Sequence, residues 1–314
     1  MYMKRNFKSF VLISIFLFAA GILASAQTYT WTGGHGNFKN PSNWSPNLPA
    51  GTTPTAFPAG KYRILSPGPC FLTDNITFAG TAQIEVGSEI NDGKFQLANY
   101  ALSGTVVVTV NKKGTLELSG TDEQRNMFSD GKITLNTDST VVYYGNTGKD
   151  IWQGAYQNLI VRGPIQAQSL TVNKTLKIER NPPAENPPIQ ITAPVQTYNG
   201  DVTVLTNTEF RAATSVTFGS AGTVGGTGSI IVPGNGTVSI QKNINLTGST
   251  SKFEQTGTGA VTVGNASSIT AATQIYKGAV SVNADTAFEA GTALTFESAV
   301  FGSLKNIVIK GKDI

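Results

Sequence analysis

The sequence predicts an all-β protein, a right-handed parallel β-helix with a cap at its N-terminal end, and three observations predict it. A passage occurs twice, 78 positions apart: Ile191 to Ala221 reads ITAPVQTYNGDVTVLTNTEFRAATSVTFGSA, and Ile269 to Ala299 reads ITAATQIYKGAVSVNADTAFEAGTALTFESA, with about half of the positions identical. The shared residues (Tyr198/Tyr276, Gly200/Gly278, Val202/Val280, Val204/Val282, Phe210/Phe288, Phe218/Phe296) mostly fall on alternate places, the period of a strand, whose successive side chains leave on opposite faces. Short strand candidates arrive about every ten residues from Asn75 onward, bounded by Gly, Asn, Asp or Ser. Helical periodicity is absent beyond the first 26 residues. Duplicated blocks of short strands mark an architecture that grows by stacking, and 78 residues correspond to three or four rungs. A row of tandem small β-sandwiches is the alternative. The coil fits better because the strands are short for a sandwich, and the turns are Gly/Asn/Thr corners where hairpins would need Asn-Gly or Asp-Gly. Gly234-Asn235-Gly236 is a local exception that suits a hairpin.

Residues 1–26 read as a signal peptide. Lys4, Arg5 and Lys8 form a basic start, Phe10 to Leu23 an apolar run of 14, and Ala24-Ser25-Ala26 a small-residue cleavage site before Gln27. That run is short for a membrane span, which needs roughly 20 residues. The expected organisation continues with a Trp/Gly/Pro-rich cap over 27–70 and a solenoid segment over 71–180. A Pro-rich loop or junction follows at 181–188, and a solenoid containing the 78-residue repeat over 189–314. Strand candidates run from ITF (Ile76) and QIEV (Gln83) through TVVVTV (Thr105), TVVYY (Thr140) and SLTV (Ser169) to NIVI (Asn306). TDEQRNMF (Thr121 to Phe128) is the one stretch able to coil, as a single exposed turn. The closing NIVIKGKDI stops within a strand-and-turn pattern, which fits a shortened member of a longer family or an end that stacks on a partner.

Charge and composition narrow the function. The whole chain carries 23 − 19 = +4, but three cations belong to the leader, leaving 20 − 19 = +1. With only Lys112-Lys113 clustered, in a turn beside Gly114, nucleic-acid binding is not expected. Cys70 is the single cysteine, so no intramolecular disulfide forms, and half-burial as a small apolar residue is its expected role. His35 is the single histidine, in a Gly-rich loop, so no multi-histidine metal site and no cofactor are expected.

Trp31 and Trp44, within TYTWTGGHGNFKNPSNWSPNLP, are the candidate functional residues. Two readings stand: they plug the open end of the coil, whose apolar cross-section must be covered, or they form a sugar-stacking platform. A polysaccharide lyase or hydrolase on the same scaffold would need clustered acids beside Lys, Arg or His. Asp74, Asp92, Asp130, Asp138, Asp150, Asp201 and Asp285 are scattered singly, and the adjacent pair Asp122-Glu123 lies in a polar stretch. Tyr143-Tyr144 and Trp152 are candidates to line a shallow groove. No enzymatic activity is expected.

The WTGGHGNF…NPSNWSPNLP segment resembles the opening of secreted, autotransporter-type and filamentous-haemagglutinin-like β-helical surface proteins. YQNLIVRGP (Tyr156 to Pro164), SLTVNKTLKI (Ser169 to Ile178) and the QxYxGxVxV blocks at Gln196 and Gln274 are similar to their repeat units. Two departures stand out: the middle aromatic of the opening motif is Phe38, and Thr55 or its neighbours replace an acidic residue. No membrane β-barrel pattern follows, so autotransport within one chain is not expected. The resemblance implies a structural or adhesive surface protein, exported to the outer membrane or beyond in a Gram-negative-type bacterium. Its partners would be host or surface macromolecules or glycans, or further copies joined through an open solenoid end.

Overall fold

Runs of three to six residues in which apolar and polar side chains alternate can bury one row only by stacking on similar runs. In Asp201–Val204 the inward row is Val202 and Val204, both buried, while Asp201 is exposed. The computed structural model describes residues 27–49, 57–144, 151, 154–180, 187–265, 268–302 and 305–311, and in them such strands stack in parallel into a β-solenoid. Sandwiches are excluded, because apart from one short antiparallel pair at the N-terminal end the ladders are parallel. The signal-peptide reading and most of the Pro-rich 181–188 stretch fall outside the described residues.

One ladder runs the whole length and shows where the core sits. Its inward column passes through Cys70, Phe95, Leu116, Val141, Leu159, Leu176, Val202, Val224, Ile244, Ile269, Phe288 and Ile309, one residue per coil. Cys70 is therefore fully enclosed, where half-burial was expected, and burial pushes its thiol well above the usual range. At the far end Val300 and Ile309 continue inward columns yet stay 37% and 42% exposed, since no further described coil covers them.

The second half has three faces, and register along them corrects the reading of the repeat. Ile189 pairs with Thr208, Thr208 with Ile230, Ile230 with Phe253 and Phe253 with Gln274, so four coils advance the chain from position 189 to 274, about 21 residues each. A shift of 78 falls one face short of those four coils. Gln196 lies in the ladder that runs from Leu170 through Val216, Val238 and Val261 to Val280, whereas its counterpart Gln274 lies in the ladder of Ile189 and pairs onward with Leu294. The twin blocks are thus three coils and two faces apart, not a whole number of rungs. The physical reason is that each face is the same kind of object, a short strand and a corner, and the motif satisfies itself locally. The Tyr198 hydroxyl donates to Gln196 Oε1 at 2.8 Å, and that of Tyr276 to Gln274 Oε1 at 3.0 Å. Tyr198 stacks on Phe218 with Phe210 edge-on, and Tyr276 stacks on Phe296 with Phe288 edge-on. The shared glycines sit at corners without room for a side chain: a β-carbon would lie 1.8 Å from the Lys174 carbonyl oxygen at Gly200 and 1.9 Å from that of Gly259 at Gly278.

Three further expectations are revised. Thr121 to Phe128 is no exposed turn but part of a helix, Asp122–Ser129, with Gln124, Met127 and Phe128 buried. Thr121 caps it through a capping box, and Asp122 and Glu123 lie in its first turn, favourable to the helix dipole. The Gln124 amide also donates to the Ala98 and Tyr100 carbonyls, at 2.7 and 2.9 Å, locking the helix to the preceding coil. Residues 234–236 turn a corner and close no hairpin, because Ile230–Val232 and Thr237–Ile240 belong to different ladders. Coiling also starts inside the segment read as a cap: Thr28–Trp31 pairs in parallel with Gly60–Ile64, and Gly36–Asn37 with Cys70–Phe71.

Lys242 is an unusual interior cation. Only 4% exposed, its ammonium donates to the carbonyls of Tyr198, Gly200 and Ala221, tying three coils at one corner. Burial pushes its pKa down to about 8, with Asp201 pulling the other way. The unfolded chain keeps this proton up to the ordinary lysine value near 10.5, so between those values unfolding takes up a proton. Stability conferred by this group therefore rises as pH climbs from about 8 to about 10.5. Urea midpoints across that range should rise more in the native protein than in Lys242→Met; parallel pH profiles would refute the assignment.

Candidate functional site

Chemistry-bearing residues gather in three places, and the first is the N-terminal end. Trp44–Ser45 runs antiparallel along Thr28–Trp31, pairing Trp31 with Trp44 and closing the outer edge of that ladder. The loop leading there is shaped by a 3₁₀ turn, Pro41–Asn43, whose Asn40 side chain accepts from the Ser42 N–H. Trp31 and Trp44 are 3% and 1% exposed. Trp44 Nε1 donates to the Phe38 carbonyl at 2.8 Å, and its ring meets Trp31, Phe38 and Tyr62 edge-on at 5.2, 4.9 and 5.4 Å. Phe57, Phe78 and Phe95 complete the cluster around Phe38. The indoles have no ring face to offer a sugar, so the platform reading of Trp31 and Trp44 does not fit this geometry. Trp31 Nε1 is buried without a partner among the described residues. His35 lies on the loop above, its ring 5.1 Å from Phe71.

The second place is a polar network on the outside of the long ladder, which the sequence did not single out as a cluster. Stacking brings together residues far apart in the chain. Glu117, 2% exposed, pairs with Lys94 at 2.7 Å and accepts from the Gln96 amide and, at 2.9 Å, from the Tyr144 hydroxyl. Arg162 donates to the Tyr144 hydroxyl at 2.9 Å, lies 5.2 Å from its ring centre and pairs with Glu179, which also pairs with Lys177. Burial and the Glu117 carboxylate raise the Tyr144 pKa, while Lys177 and Arg162 hold Glu179 below the usual carboxylate range. Each charge faces a partner, so the network staples successive coils. Of the pair expected to line a groove, Tyr143 is buried against Tyr156 and Tyr144 serves this network; Trp152 lies outside the described residues.

The scattered aspartates stay scattered. Asp74 pairs with Lys39, Asp138 with Lys174 and Asp130 with Lys132, while Asp201 and Asp285 accept from Thr223 and Asn306 at corners. Among the described residues no three His, Cys, Asp or Glu side chains come together as a metal site, and no helix is long and apolar enough to cross a membrane.

The third place is a groove of about 630 Å³ on the same outer ladder, lined by Gly225, Gly226, Asn245, Thr270 and Glu289 with neighbouring hydroxyls. Gly226 has φ +129°, and a β-carbon there would lie 2.1 Å from the Val204 carbonyl oxygen. With Gly225 bare on the outward side, the row dips and the groove opens.

Comparison with protein-family models, curated proteins and solved structures finds no match to this chain. The class that the fold defines is a parallel β-solenoid.

Proposed function

We propose that the protein is an exported, non-enzymatic β-solenoid that acts at the cell surface as a structural or adhesive element. The observation that carries this reading is the state of the outer ladder. Its densest chemical cluster, around Glu117, is consumed in holding coils together, and much of the remaining ladder carries short Thr, Ser and Asn side chains. A surface of that kind works by many weak contacts along its length. The signal-peptide pattern of residues 1–26 and the resemblance of the N-terminal motif to β-helical adhesins support export and adhesion.

Labelling of intact producing cells with an antibody to the chain, combined with a sugar-release assay on purified protein, tests the reading. Expected are labelled intact cells, a mature chain beginning at Gln27, and no unsaturated or reducing ends released from polyuronates with calcium present. Labelling only after lysis would overturn the surface role, and released ends would overturn the non-enzymatic one.

A further inference from the structure

The groove over Gly225 differs from the Glu117 network in presenting an amide and a hydroxyl that hold no side-chain partner among the described residues, at a regular spacing along the ladder. Gly225 pairs with Asn245, Asn245 with Thr270 and Thr270 with Glu289, so one outward residue per coil lies along its floor. Neighbouring strands are about 4.8 Å apart, which makes the row roughly 14 Å long. That step is close to the advance per sugar of an extended pyranose chain, and the row spans about three sugars. The Asn245 amide and the Thr270 hydroxyl make no hydrogen bond among the described residues. Glu289 pairs with Lys310 at 2.8 Å on the outer side, where the two side chains are 37% and 63% exposed, so its carboxylate remains open to a hydroxyl donor.

The lining also discriminates among ligands. Val224, its apolar member, is fully buried, so apolar peptide side chains find nothing to pack on. The strands are hydrogen-bonded on both sides, so no edge is offered to an added strand. No cation is among the residues that line the groove, and the Glu289 carboxylate there is paired with Lys310, so the lining carries no positive charge in excess to hold an anionic polymer. A neutral chain dense in hydroxyls meets an amide, hydroxyls and an acceptor carboxylate, directly or through water.

We infer that this groove is a binding site for a neutral, extended polysaccharide, laid across the coils with about one sugar per coil. The inference deepens the adhesive reading and rests on it for its biological setting. Native electrophoresis of the full chain through gels containing soluble β-glucan, mannan or xylan, with polygalacturonate alongside, tests it. Retardation by at least one neutral polymer is expected, with little from polygalacturonate. The exposed-face double variant Asn245→Ala/Thr270→Ala should keep its melting temperature and bind about tenfold more weakly. No retardation by any neutral polymer, retardation by polygalacturonate alone, or equal binding by the variant would each overturn the assignment. Because the gel uses purified protein, its result stands apart from the surface-labelling experiment: either can fail without the other.

Discussion

Trp44→Ala is expected to lower stability by about 3–5 kcal/mol, the range for deleting a buried aromatic side chain. The indole is 1% exposed, touches Trp31, Phe38 and Tyr62, and gives its only N–H to the Phe38 carbonyl. Its removal leaves both a cavity and an unpaired buried acceptor. The loss should be local first, because a solenoid is held by contacts between neighbouring coils. Hydrogen exchange should therefore accelerate over Thr28–Trp31 and Gly60–Ile64 before it changes in the C-terminal coils. Binding to neutral polysaccharide in the gel assay should be unchanged. A variant of native stability that lost binding would return Trp44 to the role of a sugar platform.

Gln255→Leu should cost at least about 3 kcal/mol, although the replacement is apolar and similar in size. The side chain is fully buried, and its amide donates to the carbonyls of Gly257 and Gly259. Its oxygen accepts from the backbone N–H groups of Lys277 and Gly278 on the next coil, at 3.0 and 2.8 Å. One amide thus satisfies four backbone groups across two coils. Leucine would strand most of them, at about 1–3 kcal/mol for each unsatisfied buried group. Urea unfolding monitored by circular dichroism measures the loss. A change below about 1 kcal/mol would mean that water replaces the amide.

Much of the architecture is legible from alternation alone. TVVVTV, TLEL, KFQL and DVTV announce strands because their inward residues are large and apolar, and the solenoid contains strands over each of them. Less visible are strands whose inward places hold polar or small residues: Val195–Tyr198 turns Gln196 inward, and Lys252–Gln255 turns Gln255 inward. Amides inside an apolar coil look like loop chemistry until the carbonyls they serve are known. The coiling of Thr121 to Phe128 is legible in the sequence, but the burial of the Asp122–Ser129 helix is not, because its buried side is short and Gln124 stands where an apolar residue would be expected. The Glu117 network has no trace in local spacing. Lys94, Glu117, Tyr144 and Arg162 are joined only by the stacking register, which depends on the length of every corner between them. The groove likewise has no trace in local spacing: Gly225 and Gly226 lie within the strand Val224–Gly226, and the residues beside them along its floor, Asn245, Thr270 and Glu289, come from later coils.

Because duplication here advanced the chain by three coils and two faces, the two copies do not look out in the same direction. Val202 belongs to the long ladder that carries the groove, and its twin Val280 belongs to a neighbouring ladder. A prism whose sides are interchangeable can be lengthened by copying any run of sides, and each such copying re-aims whatever its outer residues recognise. Growth of this kind distributes related surfaces around the axis, as a spiral staircase turns its treads, so that one rod can present kindred patches to more than one neighbour.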